Sequence, residues 1–120
     1  MEIYLVEDSA ILRKRLSAML GAVPQVRIVG HAASAEQAVR EILESKPDLA
    51  VVDIHLAEGT GFEVLRELGQ RAPEIPVYML SNFASAPYRR LAAELGAADF
   101  FDKSTEFERV RDCIAERAAH

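Results

Sequence analysis

Several residues of this 120-residue chain that could do chemistry stand in one kind of place, directly after an apolar run. Glu7 and Asp8 follow "IYLV", Asp53 follows "LAVV", Ser81 follows "VYML" and Lys103 follows "ADFFD". Runs this apolar read as strands buried on both faces. In an open α/β sheet, groups at the carboxyl ends of the strands converge on one rim. Carboxylates gathered there repel one another, so they need a cation or upward-shifted pKa values. Carboxylates without cysteine or paired histidine suit a hard divalent ion such as Mg²⁺, with waters completing an octahedron. A carboxylate beside that ion, a lysine and a hydroxyl can receive a phosphoryl group. In such transfers, positioning and charge stabilisation supply most of the catalysis.

The elements that must position these residues alternate strictly. Strands are predicted at 2–7, 26–32, 48–54, 75–81 and 98–103. Helices are predicted at 9–21, 34–46, 61–71, 86–96 and 104–119. In the first helix Ile11, Leu12, Leu16, Met19 and Leu20 are expected on one inward face, with Gly21 as the stop. Ser34 with Gln37 three residues on has the pattern of a capping box, Pro47 ends that helix, and Gly96 ends the fourth. In the last helix Phe107, Val110 and Ile114 point inward. Alternation of this kind implies a parallel sheet with helices on both faces, and right-handed crossovers leave few topologies. The apolar character of strands one, three and four places them centrally. Phe100 and Phe101 are neighbours on one strand and so face opposite sides of the sheet. No repeat, low-complexity tract or linker interrupts the chain, and residues 1–120 read as one domain.

Composition narrows the function. There are 14 basic and 19 acidic residues, for a formal net charge of −5. That argues against direct nucleic-acid binding or adhesion to anionic membranes. No window approaches the ~20 apolar residues of a spanning helix, and Glu2 stands where a signal peptide would be basic. The single cysteine, Cys113, has no internal partner, which fits a reducing, cytoplasmic setting and a packing role. His31, His55 and His120 are too scattered for a metal site.

Four pieces in order, "VED", "VVDIHLAEGTGFEVL", "LSN" and "GAADFFDKS", make the chain resemble a response-regulator receiver domain of two-component signalling over its full length. The resemblance implies a doubly wound, flavodoxin-like (βα)5 fold with strand order 2-1-3-4-5. It implies that Asp53 is the phosphoacceptor, that Glu7, Asp8, Asp53 and the backbone carbonyl of His55 hold Mg²⁺, and that Ser81 and Lys103 contact the phosphoryl group. Phe100 matches the switch aromatic that turns inward when Ser81 moves toward that group. The implied donor is a phosphohistidine on a histidine kinase or histidine phosphotransfer protein. No output domain follows the last helix in these 120 residues, so output is expected through a partner or self-association unless the chain is a fragment of a longer regulator. The implied surface is the 86–119 face, with Tyr88, Arg89, Arg90, Glu108 and Arg111.

The chain departs from the family pattern at Ala57, where proline is frequent, and at Asn82, where a small residue is usual. It departs again at Ser104, where proline in a cis peptide is common; before serine a cis bond costs about 2.5–4 kcal/mol, so a trans bond is expected. His55 and Phe83 occupy positions that tune dephosphorylation in the family. Three other functions fit these residues less well. A phosphorylation-independent interaction module would have no need of clustered carboxylates. An aspartyl-phosphate phosphatase would show "DxDxT" after its first strand, whereas "DIHLA" follows the third here. A nucleotide binder would carry a glycine-rich phosphate loop, which "EDSAILR" is not. Self-catalysed phosphoryl transfer and hydrolysis are the only enzymatic steps expected.

Overall fold

A computed structural model describes residues 1–120. The strands are β1 (Glu2–Val6), β2 (Arg27–Ala32), β3 (Leu49–Asp53), β4 (Val77–Ser81) and β5 (Asp99–Asp102). The helices are α1 (Ala10–Gly21), α2 (Ala35–Ser45), α3 (Gly61–Arg71), α4 (Ala86–Glu94) and α5 (Phe107–Ala119). All strand pairs are parallel, in the expected order β2-β1-β3-β4-β5. This is the doubly wound, flavodoxin-like arrangement.

Strict alternation along the strands builds two cores. Tyr4, Val6, Ala50, Val52, Val77, Met79 and Phe100 face one side and pack against α2, α3 and α4. Ile3, Leu5, Leu49, Val51, Tyr78, Leu80 and Phe101 face the other and pack with Leu16 and Leu20 of α1 and Val110 and Ile114 of α5. The two phenylalanines of β5 therefore divide between the faces, as their adjacency requires.

Several local expectations are corrected. Ile11 is 75% exposed and does not belong to the inward face of α1, which rests on Leu16 and Leu20. Leu12 and Arg13 beside it are half-buried, so the helix buries a narrower stripe than the apolar period implies. Gly21 is still helical and Ala22 is the cap. α2 stops at Ser45, with Lys46 left-handed at φ 49°, before Pro47 is reached. Ser34 does cap α2, accepting from the Gln37 N–H at 3.4 Å, but the Gln37 side chain donates to Glu41 instead of returning to close the box. β4 begins at Val77 rather than 75, because Pro76 has no N–H to give a ladder. α5 begins at Phe107 rather than 104: residues 104–106 form a turn closed by Asp102, whose Oδ1 accepts from the N–H and hydroxyl of Ser104 at 2.8 and 2.6 Å. The Lys103–Ser104 peptide is trans.

Register sets the rim. Val6 is level with Val52, which places Glu7 beside Asp53 at the ends of adjacent strands. Asp53 is level with Leu80, and Ser81 with Asp102. The Lys103 N–H donates to the Ser81 carbonyl at 2.9 Å and extends that last pairing by one bond.

Candidate functional site

Asp53 ends the central strand, with its backbone held on the far side by α3. A Cβ at Gly61 would stand 2.2 Å from the Asp53 carbonyl oxygen, so only glycine allows the start of α3 to approach this closely. The Gly61 N–H donates to the Ile54 carbonyl at 2.8 Å, and Thr60 caps the helix by accepting from the Glu63 N–H at 3.2 Å. The loop from Ile54 to Thr60 is thereby tied down at both ends. Glu7 is fixed by its neighbour: its Oε2 accepts from the Ser9 N–H at 3.1 Å, while the Ser9 hydroxyl caps α1 by accepting from Leu12.

Lys103 reaches across the rim to both strand ends. Its Nζ lies 2.6 Å from Glu7 Oε1 and 2.9 Å from Asp53 Oδ2. The three side chains are almost wholly buried, at 6% exposure for Lys103, 2% for Glu7 and 7% for Asp53. Glu7 Oε1 has no well-directed hydrogen bond; the ammonium beside it is its only compensation. Burial pushes the Glu7 carboxyl up from its usual value, against the opposing pull of Lys103 and the Ser9 N–H. Burial alone would lower the Lys103 ammonium, but the carboxylates of Glu7 and Asp53 outweigh it and hold it above the usual lysine value.

Asp8 is exposed, yet it offers an oxygen to the same cluster. One carboxylate oxygen from each of Glu7, Asp8 and Asp53 lies within 4.8 Å of the others. Three carboxylates against one ammonium leave the rim with an excess of negative charge. The donor set is all oxygen, and two of its three carboxylates are buried with a single ammonium between them. These are the features of a site for a hard divalent cation.

Ser81, Phe100 and His55 have contacts of their own. Ser81 is fully buried, and its hydroxyl accepts from the Phe83 N–H at 2.9 Å. Phe100 lies inward under the guanidinium of Arg89, whose Cζ is 5.0 Å from the ring centroid. His55 is exposed, and its ring meets those of Phe83 at 4.8 Å and Tyr88 at 6.3 Å between centroids. Neither the Lys103–Glu7 contact nor the role of Gly61 was anticipated from sequence. The glycine directly after a threonine cap was the available signal for the second; the first had none. Two surface grooves of about 650 Å³ lie elsewhere, one between α2 and α3 and one beside Cys113 and Arg117. Neither groove is lined by Glu7, Asp8, Asp53 or Lys103.

An α/β sheet with an acidic cluster at this rim defines a recognisable class. Residues 3–115 match the family model of the response regulator receiver domain, and the chain belongs to that family. The chain is 33% identical over 104 residues to protein-glutamate methylesterase/protein-glutamine glutaminase 3 of Geobacter sulfurreducens, covering 87% of this chain and 28% of that protein. It is 32% identical over 102 residues to the DNA-binding transcriptional activator DevR/DosR of Mycobacterium tuberculosis, covering 85% of this chain and 47% of that protein. The chain thus spans between about a quarter and a half of these relatives. Among solved structures, the response regulator domain of Thermotoga maritima CheB superposes with a TM-score of 0.85 at 28% identity, covering 99% of this chain and 93% of that one. A two-component response regulator of the LuxR family from Aurantimonas sp. SI85-9A1 gives a TM-score of 0.91 at 26% identity, covering 98% and 84%.

Proposed function

We propose that this chain, over residues 1–120, is a phosphoacceptor switch in which Asp53 takes a phosphoryl group from a phosphohistidine on a partner histidine kinase or histidine phosphotransfer protein. The observation that carries the reading is Asp53 itself: a carboxylate at the end of a buried strand, 2.9 Å from the Lys103 ammonium, in a three-carboxylate cluster. An Asp53 oxygen attacks phosphorus as the P–N bond breaks, and the freed imidazole takes up a proton. In this reading Lys103 neutralises an oxygen of the transferred group, and the Ser81 hydroxyl, which accepts from the Phe83 N–H, keeps its own proton to donate to another. Glu7, Asp8, Asp53 and the carbonyl of His55 would hold Mg²⁺, which when bound offsets the charge of the phosphoryl oxygens. Water attack on the same phosphorus later breaks its bond to the Asp53 oxygen, releases inorganic phosphate and returns the carboxylate, so the chemistry is self-directed.

Ser81 and Phe100 are the pair that would relay occupancy to the surface of α4, β5 and α5. The names of the two relatives describe an enzyme and a transcriptional activator; the part matched in both is the receiver, and the surface that carries output in this reading is the 86–119 face. A cytoplasmic location belongs to this reading. Its supports are the unpaired, half-buried Cys113 and the lack of any helix long and apolar enough to cross a membrane.

The test is intact mass after incubation with acetyl phosphate and Mg²⁺. The expected result is a gain of one phosphoryl group, absent without Mg²⁺ and absent in Asp53→Asn. No gain, together with no binding of beryllium fluoride, would move the reading to a phosphorylation-independent interaction module.

A further inference from the structure

β5 is an edge strand, and such a strand exposes unpaired backbone groups on its outer side. Here those of Phe100 and Asp102 are met by side chains. The Phe100 N–H donates to Asp99 Oδ1 at 2.8 Å, the Phe100 carbonyl accepts from Arg89 Nη1 at 3.3 Å, and the Asp102 N–H donates to Glu106 Oε1 at 3.0 Å. Arg89 does more than cover an edge. Its Nε donates to the Ala84 carbonyl at 3.2 Å, and its Nη2 to the same Glu106 Oε1 at 3.0 Å. One side chain on α4 therefore grips three segments at once. They are the loop leaving Ser81, the strand carrying Phe100 and, through Glu106, the turn carrying Lys103. These three segments bring the non-carboxylate groups of the site toward Asp53. A planar fork of five N–H donors can hold them together; a lysine ammonium cannot span them.

We propose that Arg89, acting with Glu106, is a positioning residue for the phosphoacceptor site, setting how Ser81 and Lys103 approach the group on Asp53. The inference rests on the reading of Asp53 as phosphoacceptor. The competing account is that Arg89 only caps the sheet edge. The two accounts predict different readouts. Arg89 and Glu106 are 41% and 23% exposed, and pairs this accessible contribute little to global stability. A positioning role therefore shows in the affinity of the site for a phosphoryl mimic, with little change in melting. Such coupling is reciprocal, so an acidic group that drew Arg89 away from Glu106 would change that affinity too.

The experiment is titration of the whole chain with beryllium fluoride in saturating Mg²⁺, paired with thermal melting. The variants are Arg89→Ala, Arg89→Lys, Glu106→Gln and the Arg89→Ala/Glu106→Gln double, with Arg66→Ala on α3 as the control. Arg89→Ala and Glu106→Gln should each weaken the mimic by roughly three- to ten-fold, the worth of one or two hydrogen bonds. The double should be no weaker than the worse single, because both act through one contact. Arg89→Lys should resemble Arg89→Ala, and Arg66→Ala the wild type. Wild-type affinity in Arg89→Ala, with or without a lower melting point, would leave Arg89 an edge cap and overturn the inference. So would losses that add in the double, or full restoration by lysine. Should Arg89→Ala not fold, Arg89→Lys and Glu106→Gln decide the matter by the same criteria. Failure of the wild type to bind the mimic would overturn the phosphoacceptor reading, and this inference with it.

Discussion

Two ionic clusters lie a few residues apart in sequence and differ in almost every physical respect. At the rim, Lys103 is wedged between Glu7 and Asp53, all three buried. On the outer edge of β5, Glu106 bridges Arg89 and Arg109 in half-buried to exposed positions, at 3.0 and 2.6 Å. The distances are alike; the access of water is not. Burial pushes the Glu7 carboxyl up, whereas the Asp102 N–H and then Arg89 hold the Glu106 carboxyl below the usual range. The edge cluster is neutralised cheaply by its surroundings. The rim cluster stays short of positive charge, since Asp8 adds a third carboxylate to one ammonium. Nothing about folding calls for that deficit. It is a reason to read the rim as a site and the edge as support for it.

The largest expected effect breaks the rim cluster. Lys103→Met removes the only cation facing two buried carboxylates, and should lower unfolding free energy at neutral pH by about 3–5 kcal/mol in urea titrations. A variant as stable as the wild type would mean that the rim is hydrated like the edge, and the contrast would fail. Next is Gly61→Ala, where the added methyl must displace either Asp53 or the first turn of α3. A loss of about 1–3 kcal/mol is expected, with weaker Mg²⁺ binding because the Asp53 carboxylate moves with its backbone. An unchanged denaturation midpoint would show that α3 can retreat freely.

Smallest is Glu106→Gln, expected to stay within about 1 kcal/mol of wild type. Its pH dependence sharpens the comparison. The Glu106 carboxyl titrates lower in the folded chain than in the unfolded one. Its contribution is therefore complete above the unfolded value and is lost as pH falls through the folded one. The stability difference between wild type and Glu106→Gln should be flat well above the unfolded carboxyl range and shrink progressively as pH falls below it, read from melting curves. A difference that instead grew on acidification would reverse the sign assigned to the pair.

Much of the frame is legible in the residues because it rests on local terms. Four-residue apolar runs mark β1, β3 and β4 as strands between two helical layers, and Ser34 and Gly96 mark helix ends. Alternation assigns Phe100 and Phe101 to opposite cores without further information. Local terms mislead where the environment decides. Ile11 fits the period of α1 but has nothing to pack against, and 104–106 have helical composition but are taken up in the turn that Asp102 closes.

The sequence by itself determined which groups stand at the strand ends: Glu7, Asp8, Asp53, Ser81 and Lys103 follow their apolar runs whatever the packing. Only the tertiary structure decided how they meet. Register brought Glu7 level with Asp53, and Lys103 then bridged both strand ends. Gly61 let α3 press on the Asp53 backbone, and Arg89 joined α4 to β5 and its turn. The physical reason is range. Strand and helix signals act over a few neighbours along the chain, whereas charge pairing and exclusion of water depend on distances between residues tens of positions apart. Those distances exist only once the sheet has formed.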